Sequence, residues 1–549
     1  MICTLLFSSC KVNKNTVQTV GKLTSSYDLT LLSAIPDSSA IVLEFNGKAL
    51  LEKGALNAPE RYKIWAGIEE KLKDTPAIYE IISSFLKDEY PFGLDISKVY
   101  LFSNIDEYGI FVVKLQDKSK FEAKLQTFEE MSIKDKGHYK SNKENSLLWN
   151  DKVLFVVAGD IKNPAELFDY SELKSIVTNT DFLKFEASQS DIRLWARYDK
   201  LFKLGYPLSS PNSLIDSLKN TYAHIKMNFE QGELKATVSM SSLSGKMFWD
   251  KYSLYNKSFN KNLLTTFPEN SFFSMMFSIN PKGYTDFLKA IIPAIYGQSA
   301  DFPEKTTIIA QNDNLLDDTG IVVGIMNGYP EMEVDDDEDI MYDNYSGFYS
   351  KMIDTISAWA EYFGGDAVLN VYGFAQGMLP LPLVGINFTV RDKAVFEKLI
   401  AIPGWDIRKT DDYYYISESG LIEYFAYRDN IVMVTNDGDA IKKFVAGRTE
   451  SKNLSTNYIA RNPDNLASAM YFNLNFNSYP ENIRLIVTEF LQSKMPPETA
   501  NIFINLLDDI YIRGNKDNEG ILSIKFKDKS KNSLLQILEL IDKFAPSIP

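Results

Sequence analysis

A chain of 549 residues suffices for about two to four domains with sizeable cores. Its net charge of −15 argues against nucleic acid or an anionic lipid surface as a partner. With only Cys3 and Cys10 as cysteines, disulfides and thiolate metal sites are excluded beyond residue 10. His138 and His224 are the two histidines, which leaves little room for histidine-based metal or triad chemistry. No apolar run approaches the ~20 residues of a membrane-spanning helix.

The first ten residues, Met1-Ile2-Cys3-Thr4-Leu5-Leu6-Phe7-Ser8-Ser9-Cys10, are apolar, end in small residues and stop at a cysteine. That pattern resembles a bacterial lipoprotein signal, in which the cysteine after the small residues is acylated and becomes the new N-terminus. Cys10 is the expected lipidation site, and dual or triple acylation gives durable anchoring where one chain does not. A basic leader is missing and Phe7 stands where an aliphatic residue is usual, so the true start is expected upstream of Met1. Residues 11–27 carry Lys11, Lys14 and Lys22 with no acid and no periodic apolar face. They read as a tether with a span of about 20–25 Å.

Two α+β repeats are expected, over 28–262 and 263–549. Each opens on a Pro-acid turn, Pro36-Asp37 or Pro268-Glu269. A strand follows (Ala40–Phe45; Phe272–Ile279), then an asparagine suited to cap a helix, Asn46 or Asn280. Helical periodicity covers Lys48–Lys73 and Ala77–Lys87 in the first copy, Lys282–Tyr296 and Phe348–Phe363 in the second. Paired strands come next, Val99–Ser103 with Ile110–Leu115, answered by Ala367–Phe374 with Leu383–Val390. Both pairs lead into one phrase, Asp117-Lys118-x-x-Phe121-Glu122 and Asp392-Lys393-x-x-Phe396-Glu397, opening the helices Phe121–Met131 and Phe396–Ile402. An acid at a helix start complements the exposed amides. A shorter echo, Asp528-Lys529-Ser530-Lys531, lies near the C-terminus in the same strand-to-helix setting.

Hairpins then turn at Asn150-Asp151 and Asp429-Asn430. Short helices follow (Ala165–Phe168; Asp439–Val445), then strands (Ile192–Tyr198; Ala467–Leu474), and each copy closes on a hairpin through Gly232 or Gly520. The order implies an α+β fold with an internal duplication, each half a mainly antiparallel sheet with helices packed on one face. The second copy alone carries an acidic insertion, about 298–345. Its Asp335, Asp337 and Asp339 alternate as Ca²⁺ ligands could. Ile340 and Ser346 break the EF-hand pattern, so a solvated acidic loop is the simpler expectation.

No nucleophile elbow, zinc-protease helix, P-loop or dinucleotide fingerprint occurs. The tyrosine-rich stretch Tyr413-Tyr414-Tyr415 with Tyr424, Phe425 and Tyr427 could stack on sugars, but strand alternation explains it more simply. His138 and His224 are expected to be structural or exposed.

The lipobox-like Cys10, the Ile35-Pro36-Asp37-Ser38-Ser39 opening and the repeated Asp-Lys-x-x-Phe-Glu resemble a family of Bacteroidota lipoproteins classed as a domain of unknown function (type 4836). The resemblance spans roughly Leu31 to the end and carries no catalytic or ligand residues. It implies a cell-envelope location. In such lipoproteins an acidic stretch after the cysteine accompanies surface export, and its absence here leans towards the periplasmic side of the outer membrane. The expected role is a non-enzymatic, lipid-anchored protein binding an envelope partner, without cofactor. The alternative is a glycan-binding protein or carboxylate-based glycan hydrolase with a site between the halves.

Overall fold

The computed structural model describes residues 29–72, 83–103, 109–126, 138–140, 145–158, 175–205, 218–296 and 357–544, less 89, 245, 359, 361, 376–379, 402–405 and 419–420. Nineteen strands form one open sheet among these residues, and every pairing is antiparallel. From one edge, β4 (His138–Lys140) is followed by β5 (Asn145–Trp149), β6 (Val153–Ala158), β3 (Gly109–Leu115) and β2 (Leu94–Ser103). Next come β1 (Ile41–Phe45), β7 (Ile192–Arg197), β8 (Thr221–Glu230) and β9 (Glu233–Ser242). The sheet continues through β19 (Glu519–Phe526), β18 (Leu507–Asn515), β17 (Leu466–Asn473), β10 (Phe273–Ser278) and β11 (Phe363–Phe374). It ends with β12 (Pro382–Val390), β16 (Ile431–Thr435), β15 (Leu421–Arg428), β14 (Tyr414–Glu418) and β13 (Arg408–Lys409). Outward from the β9–β19 junction both arms run in the same order: closing hairpin, the strand before it, the opening strand, the paired strands, then the middle hairpin. The second arm adds β13.

Continuous apolar runs, rather than alternation, decide how the sheet is covered. In β6, Phe155 and Val157 face one core with Leu31 and Leu32 of α1 (Leu29–Leu32) and Phe182 and Phe185. Leu154 and Val156 of the same strand face a second core with Phe121 and Leu125 of α4 (Lys118–Leu125). The second arm repeats this. Ile431 and Met433 of β16 meet Ile441 and Phe444 of α9 (Gly438–Val445), whereas Val432 and Val434 meet Val395 and Phe396 of α8 (Lys393–Ile400). Helices therefore cover both faces, not the one face expected, because strands apolar on both sides must be buried on both sides.

The repeated phrase has a local physical explanation. Asp117 caps α4 by accepting from the Lys120 amide at 2.9 Å, and Asp392 caps α8 by accepting from the Val395 amide at 3.2 Å. Phe121 meets Trp149 edge-on at 5.4 Å, and Phe396 stacks with Tyr427 at 5.8 Å. Lys118–Glu122 and Lys393–Glu397 are i,i+4 pairs at 3.9 and 3.0 Å. The C-terminal echo differs: Asp528 accepts from the Ser530 amide within a turn, and Asn532 supplies the cap by accepting from Leu534.

The hairpin at Asp429-Asn430 has both φ values positive, 53° and 60°, as the tightest antiparallel turn requires. Asn46 caps α2 (Gly47–Lys53) and Asn280 accepts from Gly283 at the start of α7 (Pro281–Tyr296). The helix expected over Lys48–Lys73 is broken. It stops at Gly54, Ala55 has φ of 49°, and α3 (Lys63–Leu72) resumes after a turn begun by Pro59. Of the helix expected over Phe348–Phe363, residues 348–356 lie outside the described residues, and its last position is taken by β11, which begins at Phe363. Ala165–Phe168 and the first part of Ala77–Lys87 lie outside the described residues.

Contacts cross residue 262 in both directions. The segment after β9, with Met247, Trp249 and Leu254, packs against Tyr284, Phe287 and Ile291 of α7. The C-terminal helix α12 (Ser533–Phe544) returns to α2, α3, β8 and β9. There Asp542 accepts from the Ile64 amide at 2.7 Å and Glu539 pairs with Arg61 at 3.2 Å.

Candidate functional site

Two buried polar clusters lie at the two ends of α5 (Thr180–Glu186), a helix held on the sheet by Phe182 and Phe185. Asn179 caps it by accepting from Asp181 and Phe182. Phe182 meets Trp195 edge-on at 5.5 Å, and Trp195 stacks on Tyr222 at 5.0 Å.

At the N-terminal end Asp181 Oδ1 accepts from Trp195 Nε1 at 3.0 Å and lies 2.8 Å from His224 Nε2. Its Oδ2 accepts from the Ser241 hydroxyl, whose oxygen is 3.5 Å from the same His224 nitrogen. Burial would raise the Asp181 carboxyl, but hydrogen bonds from His224, Ser241 and Trp195, with the imidazole charge, outweigh it and hold it below the usual range. Serine, histidine and aspartate are thus together, but not as a relay. A relay sets hydroxyl and carboxylate on opposite ring nitrogens. Here both address Nε2, and the carboxylate takes the serine's hydrogen bond itself. The trio orients α5.

At the C-terminal end Arg193 of β7 donates through Nη2 to Glu44 of β1 and to Glu186, the latter at 2.9 Å. Through Nη1 it donates to the carbonyls of Glu186 at 2.8 Å, Phe185 at 3.4 Å and Ser188, closing the last turn of the helix. Lys98 of β2 pairs with Glu186 at 2.7 Å, and the Tyr100 hydroxyl donates to Glu186 at 3.1 Å. Burial, followed by the Glu186 charge, pushes Glu44 up to about 7 despite Arg193 and Lys98. The same burial acts on Glu186, but Arg193 and Lys98 outweigh it and its carboxyl stays below the ordinary value. Burial and the two carboxylates push the Tyr100 phenol well above its usual range. Two carboxyls moved apart by their surroundings are what acid–base catalysis uses. Here they sit against an arginine and a helix end, beneath a half-exposed lysine.

The second arm has counterparts in kind. Asp366 accepts from Asn256, Ser278 and the Asn260 amide, while Asp509 accepts from Tyr458 at 2.7 Å and lies 3.3 Å from the Lys525 ammonium. A groove of about 380 Å³ lies between segments before and after residue 262. It is bordered by Glu52, Lys53, Gln231, Lys531, Asn532 and Leu535. Lys53 is bound to Asp191 at 2.6 Å and Lys531 to Glu539 at 3.0 Å.

Cys10 and the Ca²⁺ candidates Asp335, Asp337 and Asp339 lie outside the described residues. His138 begins β4, and His224 is buried and committed to Asp181. The aromatic stretch divides between the faces as alternation requires. Tyr413 and Tyr424 pack with the α9 core and each other, and Tyr414, Phe425 and Tyr427 with the α8 core. Sequence reasoning missed Glu44, Glu186 and Arg193. The available signal was a charge inside an apolar strand, as in Leu43-Glu44-Phe45 and Ile192-Arg193-Leu194.

No curated protein matches the chain. Among solved structures, a chain described as "Structure of crystal form I of TP0453" is similar at 12% identity, over 41% of this chain and 83% of that one. Its TM-score of 0.24 does not define a common fold. A family profile matches residues 32–292. Over those residues the chain is similar to the family described as a domain of unknown function, DUF4836.

Proposed function

We propose that this protein is a lipid-anchored cell-envelope protein that binds or scaffolds a partner and performs no catalysis of its own. Anchoring is through Cys10, with residues 11–27 as the tether and the body on the periplasmic side of the outer membrane. The run Leu5-Leu6-Phe7-Ser8-Ser9-Cys10, followed by a lysine- and asparagine-rich stretch, supports the address. The role rests on one observation. The ionisable groups best suited to chemistry are buried and committed to holding α5, His224 bound to Asp181, and Glu44 and Glu186 both bound to Arg193.

We further infer that the halves derive from one duplicated unit. The matched strand order of the two arms and the equivalent roles of the two Asp-Lys-x-x-Phe-Glu phrases support this reading.

The test is in-cell cross-linking followed by purification of the acylated protein from detergent-solubilised membranes. A single envelope protein at fixed stoichiometry is expected, cross-linked through exposed side chains. Release of reducing sugar from envelope glycans by the purified protein alone, abolished in Glu44→Gln or Glu186→Gln, would reverse the assignment.

A further inference from the structure

Glu44 and Glu186 draw on one guanidinium, and the sharing is unequal to the charge. The side chains of Arg193, Glu44 and Glu186 are 2%, 5% and 1% exposed, so this inner trio carries two carboxylates and one cation away from water. The remaining compensation comes from Lys98, 2.7 Å from Glu186, 4.0 Å from Glu44 and 37% exposed. A half-solvated ammonium compensates a buried charge incompletely, and two carboxylates against one cation favour a proton on one of them. Glu44 is the better holder, being farther from Lys98, whereas Glu186 also accepts the Tyr100 hydroxyl.

We propose that Glu44 and Glu186 share one proton in the folded protein near neutrality, and that its loss loosens the C-terminal end of α5 from the sheet. The coupling runs through Arg193. Its Nη1 closes the last turn of α5 by donating to the Phe185, Glu186 and Ser188 carbonyls, while its Nη2 serves both carboxylates. Deprotonation places a second full negative charge beside the negative end of the helix. The guanidinium is drawn to the carboxylates and the carbonyls lose their donor. Lys98 and Tyr100 come from β2, and Lys226 of β8 lies 5.8 Å from the Phe185 ring. Asp181 at the far end of α5 is held by Trp195, His224 and Ser241. The raised proton affinity of Glu44 agrees with this arrangement.

The test uses the full chain, with infrared difference spectra and hydrogen exchange followed from about pH 6 to about pH 8 and corrected for intrinsic rates. One protonated-carboxyl band should titrate in the wild type and be missing in Glu44→Gln. The amides of Ala187 and Ser188, bonded to Leu183 and Phe185, should exchange several-fold faster at the upper pH in the wild type but not in that variant. Lys98→Met removes only the half-exposed ammonium, so it should fold and move the titration to higher pH. A wild type without the band, a Glu44→Gln protein with the same pH-dependent exchange, or a Lys98→Met midpoint that does not move would each overturn the proposal.

Discussion

Arg193 is the residue on which two of the first arm's buried carboxylates, Glu44 and Glu186, converge. Replacing it with methionine keeps much of the volume but takes the guanidinium from Glu44, leaves Glu186 with only Lys98 and Tyr100, and strips three helix-end carbonyls of their donor. Breaking such a pair costs about 3–5 kcal/mol, so Arg193→Met should lower the urea midpoint strongly. Glu44 works in a different direction. Its folded value is raised from 4.5 to about 7, so its contribution is fully present below the unfolded value and is lost as pH rises through 7. The stability of the wild type relative to Glu44→Gln should therefore fall by about 2–3 kcal/mol between acid and mildly alkaline pH. Glu186 and Asp181 act oppositely, contributing above the unfolded value and losing it as pH falls. None of this was legible from residue order. A lone charge in an apolar strand marks a partner, but not that the partner stands 149 residues away.

At the scale of the element, the repeated phrase was legible because each of its residues acts locally. The cap, the i,i+4 pair and the buried phenylalanine need only four or five residues of helix to be defined. Asp117→Ala and Asp392→Ala should each cost about 1 kcal/mol, read from chemical denaturation. Phe121→Ala and Phe396→Ala, which open voids beside Trp149 and Tyr427, should each cost about 3–5 kcal/mol. Turns were legible for the same reason, since Asp429-Asn430 and Asn150 carry their conformations in their own side chains. Coverage of the sheet was not. Val153-Leu154-Phe155-Val156-Val157 names a strand buried on two sides, yet which helix lies on which side depends on tertiary packing. The same holds for the break at Gly54 within a periodic stretch. There Leu538 of α12 lies 2.8 Å from where a Cβ would stand, a contact that local pattern cannot foresee.

Across the whole molecule, the arms are joined twice over. The β9–β19 ladder makes one sheet of them, and each arm's trailing segment packs on the other's first helices. Residues 533–544 should therefore stabilise a part of the chain some 300 positions or more away in sequence, since Asp542 accepts from the Ile64 amide across a separation of 478. Truncation before Ser533 should lower the melting transition reported by Trp65, the residue after Ile64, whose amide donates to Asp542 of α12, more than the loss of twelve helical residues would by itself. An unchanged Trp65 transition would mean that α12 only decorates the surface. Such closure holds a large acidic body together, and the proposed lipid anchor with its tether at one end would be enough to station it at a lipid surface. Mass spectrometry of the mature N-terminus from native membranes tests that address most directly. The account predicts loss of residues 1–9 and a diacylglyceryl thioether with an amide-linked acyl chain on Cys10. A recovered peptide that runs through Cys10 with a free thiol would contradict it.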